Sequence, residues 1–167
     1  MFSFTFEAGA GVTDKFREGM LKSPKDNISF SARMLLKMNR KLNVGVHSAY
    51  FWLKKENQKD VGDVGDKTNL KASLSAIPLV LIFNMRIIGF DVCAGLGTSR
   101  LVSSVNAFND KVIVGSWNYV FYGSLGYTLY FTQRWGLGLE ADFYSFSSIK
   151  TDAAGARLKF VYDLSKW

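Results

Sequence analysis

From Arg134 to Ser147 apolar and polar side chains alternate: Trp135, Leu137, Leu139, Ala141 and Phe143 share one parity, and Gly136, Gly138, Glu140, Asp142 and Tyr144 the other. A period of two marks a β-strand, whose successive side chains point to opposite faces. Two carboxylates in mid-strand belong to the interior of a sheet, far from a solvated loop. If the apolar face meets a core, these acids meet water. If it meets lipid, they line the inside of a closed sheet.

The pattern recurs along the chain. Strand-like segments can be drawn at about 2–13, 27–38, 41–53, 73–85, 87–99, 112–132, 134–147 and 154–164, and no amphipathic helical segment competes with them. A chain of 167 residues with 15% aromatics and only two prolines is rich β material. Its length suits one domain spanning residues 1–167. The longest apolar run, Ala76 to Phe83, is far shorter than the roughly 18 to 20 residues a membrane-crossing helix needs. Strand-like residues begin at Phe2, with no basic segment, apolar stretch and cleavage site ahead of them. The lone Cys93 excludes an internal disulfide framework and a cysteine-based zinc site.

The connections decide between the two arrangements. Long links (Asp14 to Asp26, Lys54 to Ala72, Arg100 to Lys111, Ser148 to Ala153) alternate with tight reversals at Asn39–Arg40, near Arg86 and at Thr132–Gln133. In an up-and-down barrel this puts every long loop at one end, and the tight turns with both termini at the other. A soluble carrier barrel of the lipocalin kind has no strong reason to keep that asymmetry, whereas an outer-membrane barrel has short periplasmic turns and long external loops. The faces agree. Leu158, Phe160, Tyr162 and Leu164 alternate with Arg157, Lys159, Val161 and Asp163, and Phe2, Phe4, Phe6, Ala8 and Ala10 with Ser3, Thr5, Glu7, Gly9 and Gly11. The expectation is an all-β, eight-stranded antiparallel up-and-down transmembrane β-barrel. Interior glycines and charges would fill its narrow lumen without a lipid-like core.

Buried carboxylates need partners. A hairpin centred near Ile149 and Lys150 would place Glu140 opposite Lys159 and Asp142 opposite Arg157. The reading extends this lumenal network to Glu7, Arg33, Lys37 and Asp91, and to His47, which a hairpin centred on Arg40 sets opposite Arg33. His47 is the only histidine and hence the one natural general base. Its neighbour Ser48 falls on the opposite face, which forbids a direct dyad, so no catalytic residue is expected. Cys93 reads as a small filler beside Asp91 and Gly95. Ala94-Gly-Leu-Gly97 lacks the third glycine and following helix of a dinucleotide fingerprint. Asp60, Asp63 and Asp66 lack the ligand order of an EF-hand, so neither metal nor cofactor is expected.

The Ile77-Pro78-Leu79 opening of the fourth segment, followed after the turn by Phe90-Asp-Val-Cys-Ala-Gly-Leu-Gly97, resembles the central hairpin of the small bacterial outer-membrane β-barrel domain family. These barrels are similar in architecture to the membrane domain of OmpA and to OmpX. The resemblance implies a bacterial outer-membrane location and an aromatic C-terminal signal for the barrel-assembly machinery, here Phe160, Tyr162 and Trp167. Trp167 departs from the parity of the other two. Pro78 would delete a ladder hydrogen bond, which places it at a bulge or a rim.

The net charge is +7, and many of the lysines and arginines fall in the long links: Lys15, Arg17, Lys22 and Lys25 in the first, Lys54, Lys55, Lys59, Lys67 and Lys71 in the second. Basic residues are not interleaved with stacking aromatics on a solvated face, so nucleic acid is not the expected partner. The expected partners are the bilayer, the phosphates of lipopolysaccharide, and an extracellular ligand or host surface. The leading reading is a non-enzymatic integral barrel with a structural or surface-binding, adhesive role, a plugged lumen and no wide pore. A lipid-modifying enzyme or a small lipid- or solute-conducting barrel is the alternative, and a soluble lipocalin-like carrier the third. The membrane reading predicts that the chain stays in solution only with detergent and migrates differently on SDS gels before and after boiling. A monomer soluble without detergent would contradict it.

Overall fold

The computed structural model describes residues 4–16, 28–39, 41–61, 67–107, 110–147 and 151–164. Eight strands follow in chain order: β1 Phe4–Phe16, β2 Ile28–Lys37, β3 Leu42–Val61, β4 Lys67–Ile87, β5 Phe90–Ala107, β6 Asp110–Tyr130, β7 Trp135–Phe146 and β8 Thr151–Asp163. Each pairs antiparallel with its sequence neighbours, and β1 pairs with β8 to close the barrel. Closure removes both sheet edges within the barrel wall.

Parity decides the faces as the sequence implied. On β7, Leu137, Leu139 and Phe143 point outward and are exposed, whereas Glu140 and Asp142 point inward and are 3% and 5% exposed. Phe6, Phe30, Met34, Leu81, Phe83, Leu96, Phe121, Leu125 and Leu158 extend the apolar outer surface around the wall. Only hydrocarbon satisfies such a belt. In water it would be an apolar patch far larger than soluble proteins expose.

Four readings need correction. The links Lys54 to Ala72 and Arg100 to Lys111 are mostly strand, because the β3–β4 ladder runs out to Val61↔Lys67 and the β5–β6 ladder to Ala107↔Asp110. Lys54, Lys55 and Lys59 therefore stand on β3, Lys67 and Lys71 on β4, and Lys15 on β1. Arg17, Lys22 and Lys25 lie outside the described residues, as do Trp167 and the acids Asp63 and Asp66. A strand that rises clear of the membrane is wetted on both faces and loses the apolar alternation that would reveal it.

The second correction is one of register. Glu140 pairs with Arg157, Gly138 with Lys159 and Asp142 with Gly155, a two-residue shift from the expected pairing. An even shift leaves every side chain on its face, so parity could not detect it.

The third concerns what fills the lumen. Phe51, Tyr144, Phe146, Val80, Val120, Leu101, Ala76 and Ala153 form a buried apolar cluster inside the barrel. The lumen is thus only partly polar. The run Ala76 to Phe83 is apolar throughout because its two faces meet this cluster and the lipid.

Pro78 sits at neither a rim nor a bulge. It is buried in mid-strand, and the β3–β4 pairing skips from Ser48↔Leu79 to Phe51↔Ala76 around it. The Ser48 hydroxyl donates to the Pro78 carbonyl oxygen at 3.0 Å, which occupies one acceptor at the gap. The bulge itself lies further along β3, between Trp52 and Lys54. At the β4–β5 turn, Ile88 and Gly89 both take positive φ, 50° and 84°, as a two-residue hairpin of the I′ type requires.

Close strand approach explains the glycine at position 97. A Cβ there would run into the carbonyl oxygen of Leu79, whereas at outward-facing Gly123 its nearest neighbour would be 4.0 Å away. Gly97→Val should lower unfolding stability in detergent by about 1–3 kcal/mol through forced backbone displacement, while Gly123→Ala leaves it unchanged. Urea titration of the folded gel band measures both. Equal effects would refute the packing argument.

Candidate functional site: the lumenal charge network

Inward parity on β1, β2, β7 and β8 brings together the charged residues that the sequence singled out. Arg33 on β2 is the hub. Its Nη1 donates to Glu7 Oε2 at 3.0 Å and Glu140 Oε2 at 3.1 Å, and its Nη2 donates to Glu140 Oε1 at 2.7 Å and Tyr122 Oη at 2.5 Å. Tyr122 in turn donates to Glu140 Oε1 at 2.9 Å. A planar guanidinium can hold two carboxylates this way because its donors form a fixed fork.

Towards the turns, Lys159 donates to Asp91 Oδ2 at 2.7 Å and lies 3.4 Å from Glu140. Asp91 also accepts from Arg86 Nε at 2.6 Å and Thr128 Oγ1 at 2.7 Å, while Arg86 Nη1 donates to Tyr130 Oη at 2.5 Å. Lys37 pairs with Asp163 at 2.5 Å. In the other direction, Arg157 is paired with Asp142 and donates to Tyr144 Oη at 2.8 Å.

Five cations, Arg33, Lys37, Arg86, Arg157 and Lys159, thus face five anions, Glu7, Asp91, Glu140, Asp142 and Asp163. The sum is zero. An excess of one sign in so enclosed a space would carry a desolvation cost that no neighbour offsets.

His47 sits opposite Arg33 on β3, with its ring stacked on Tyr122 at 4.4 Å and Nε2 2.8 Å from Tyr144 Oη. Ser48 points to the outer face. Cys93 is buried. Phe160 and Tyr162 lie on the outer side of β8, packed against Trp135 with ring centroids 5.0 and 4.2 Å apart.

Reading the sequence missed Arg86, Asp163, Tyr122 and Tyr144 as members of the network. Asp163 and Tyr144 were already on the polar parity and carried the necessary signal. Arg86 was hidden by its placement at the turn, and Tyr122 by its aromatic ring. Among the described residues, no group of three or more histidine, cysteine or carboxylate side chains converges as a metal site.

No family model matches the chain, and no curated protein matches it in sequence. Solved structures do match in fold. Ail, the attachment invasion locus protein of Yersinia pestis, solved with the heparin analogue sucrose octasulfate, superposes with a TM-score of 0.69 at 10% identity over 98% of this chain and 99% of its own. A major outer membrane protein from Thermus thermophilus gives 0.67 at 9% identity, over 98% of this chain and all of the other. Neisserial surface protein A gives 0.62 at 13% identity, over 98% and 97%. The chain has the fold of the small eight-stranded outer-membrane β-barrels.

The geometry gives Glu140 a stronger partner in Arg33 than in Lys159. Removing the hub with Arg33→Met should cost about 3–5 kcal/mol, because it strips two buried carboxylates of a counter-charge. A double-mutant cycle should find the Arg33–Glu140 coupling larger than the Lys159–Glu140 coupling, within the roughly 0.5–3 kcal/mol typical of residues sharing a network. The reverse order would overturn this arrangement of the lumen.

Proposed function

We propose that the chain is a non-enzymatic integral outer-membrane barrel whose protruding sheet binds polyanions at the cell surface, with a lumen closed by its charge network. One observation carries the reading. β3 to β6 continue as a four-stranded sheet beyond the level at which β7 ends, and the backbone of its β3–β4 hairpin bears Lys54, Lys55, Lys59, Lys67 and Lys71. A sheet raised clear of the bilayer, on which these five lysines outnumber the hairpin's described acids Glu56 and Asp60, attracts phosphate- or sulfate-bearing chains. The fold neighbour Ail was crystallised with a sulfated heparin analogue, which supports the same ligand chemistry here.

The edge of that sheet adds to the argument. β7 pairs with β6 from Val120 onward, so among the described residues the segment 110–118 is paired with β5 alone. Val112, Ile113 and Val114 there are all exposed, on both faces of the strand. Such an edge is a template for a partner's backbone. The non-enzymatic part of the reading is supported by the enclosure of His47, which stands among Tyr122, Tyr144 and Arg33 inside the wall, away from the lipid surface.

Replacing Lys54, Lys55, Lys59, Lys67 and Lys71 together by Gln should weaken binding of the detergent-solubilised barrel to immobilised heparin by about tenfold or more and flatten its salt dependence. Parallel arms with lipid A distinguish a polysaccharide from the phosphates of lipopolysaccharide. Unchanged affinity would contradict the proposal. Mass spectrometry of lipid A from expressing cells should show the same species with the wild type and with His47→Ala, and a modification lost with His47→Ala would establish the enzymatic reading instead.

A further inference from the structure

β4, β5 and β6 leave the lipid belt side by side, and their outward face carries a charge that neither the lumen nor the β3–β4 hairpin uses. Counted from Phe90 at the turn end, the roughly 9 to 11 residues that a tilted strand needs to cross hydrocarbon bring β5 to Arg100. Below that level every outward position on the three strands is uncharged. Ladder pairs set Arg100 between Ile77 on β4 and Trp117 on β6. Its guanidinium leaves that row. A Cβ at Gly115, one row further from the turns, would lie 3.7 Å from Arg100 Nε and 3.9 Å from Nη2. The charged head therefore reaches away from the lipid, over a residue with no side chain to cover it. From Lys67 to Tyr130 the only acids are Asp91, buried in the lumen, and Asp110, at the outermost pair of the β5–β6 ladder. Arg100 is exposed, and among the described residues no carboxylate pairs with it.

We infer that this face holds one molecule of lipid A from the outer leaflet, with a phosphate on the Arg100 guanidinium, a sugar ring against Trp117 and acyl chains along Leu79, Leu81 and Phe121. Depth, charge and ring surface name the occupant. The tight turns, the start of β1 and the end of β8 lie at the opposite end of the barrel, which is the periplasmic side, so the leaflet at Arg100 is the outer one. Its lipid is a phosphorylated, acylated disaccharide. A guanidinium with no carboxylate beside it presents a fixed fork of donors that suits a phosphate. Trp117 and Tyr119 stand next to it, 69% and 72% exposed, and offer flat rings at headgroup depth.

The same face gives a phospholipid less to hold. Its phosphate would meet Arg100, but it has no sugar ring for Trp117, and the leaflet that supplies it lies at the turns. The inference rests on the outer-membrane reading of the fold and is independent of polyanion binding by the β3–β4 hairpin, none of whose lysines it uses.

Native mass spectrometry of the whole chain, released from micelles containing bis-phosphorylated lipid A, tests it. The wild type should retain one lipid A per barrel. Arg100→Gln should lower retention about tenfold or more, since a charge-assisted contact to phosphate is lost, and should leave retention of dephosphorylated lipid A unchanged. Gly115→Asp keeps the arginine but sets a carboxylate beside its guanidinium, and should lower retention to a similar degree. Heat-modifiable migration identifies the folded fraction of each, so that misfolding of one variant cannot decide the outcome. Equal retention by folded Arg100→Gln or folded Gly115→Asp overturns the site. So does retention of dipalmitoyl phosphatidylglycerol in place of lipid A. Neither variant alters the hairpin lysines, so heparin binding read on the same samples separates failure of this site from failure of the surface-binding reading.

Discussion

The grip of Arg33 on Glu7 and Glu140 is the contact on which the barrel depends. It ties the neighbouring strands β1 and β2 to the distant β7 through one guanidinium inside the lumen. An outer surface committed to lipid leaves the interior as the only place for charge. An interior too narrow for bulk water leaves other side chains as the only partners for that charge. Among the described residues, five cations and five anions meeting at neutrality are the consequence. The fold and the network therefore specify each other: a strand that slipped by one residue would move its charges into hydrocarbon and its apolar side chains into the lumen.

The lumen has two characters because its ends do different work. Towards the turns, ion pairs tie Lys37 to Asp163, and Arg86 and Lys159 to Asp91. Towards the protruding sheet, Phe51, Tyr144 and Phe146 stack into an apolar plug. Tyr122, Tyr144 and His47 stand where the two meet, with rings packed together and the tyrosine hydroxyls hydrogen-bonded to Glu140, Arg33 and Arg157. Such amphipathic residues suit that position, since each has an apolar body and a polar tip.

Much of this was legible in the sequence because side-chain parity is a local property. Glu140 and Asp142 alternate with Leu139, Ala141 and Phe143, and that alone sets them inside if the outside is lipid. The pairing Arg33↔His47 followed from a tight turn at Arg40. What was not legible depended on long range or on water. The two-residue shift of β8 against β7 preserves every face, so nothing in the pattern distinguishes the registers. The outer parts of β3 to β6 carry no sustained apolar alternation, so the period-two pattern did not mark them as strand. The apolar plug escaped notice because Phe51 and Phe146 come from strands whose other face is also apolar. The setting of Arg100 against Trp117 and Gly115 exists only once β5 and β6 are set side by side.

Odd-numbered side chains of β7 meet lipid and even-numbered ones meet the enclosed, charge-paired interior. Spin labels placed one at a time from Leu137 to Tyr144 in the barrel reconstituted in vesicles test it most directly, by collision with oxygen and with a water-soluble nickel chelate. The account predicts high oxygen accessibility at Leu137, Leu139, Ala141 and Phe143, and low accessibility to both reagents at Gly138, Glu140, Asp142 and Tyr144. Strong nickel accessibility at Glu140 and Asp142, or an oxygen signal without the two-residue period, would contradict it.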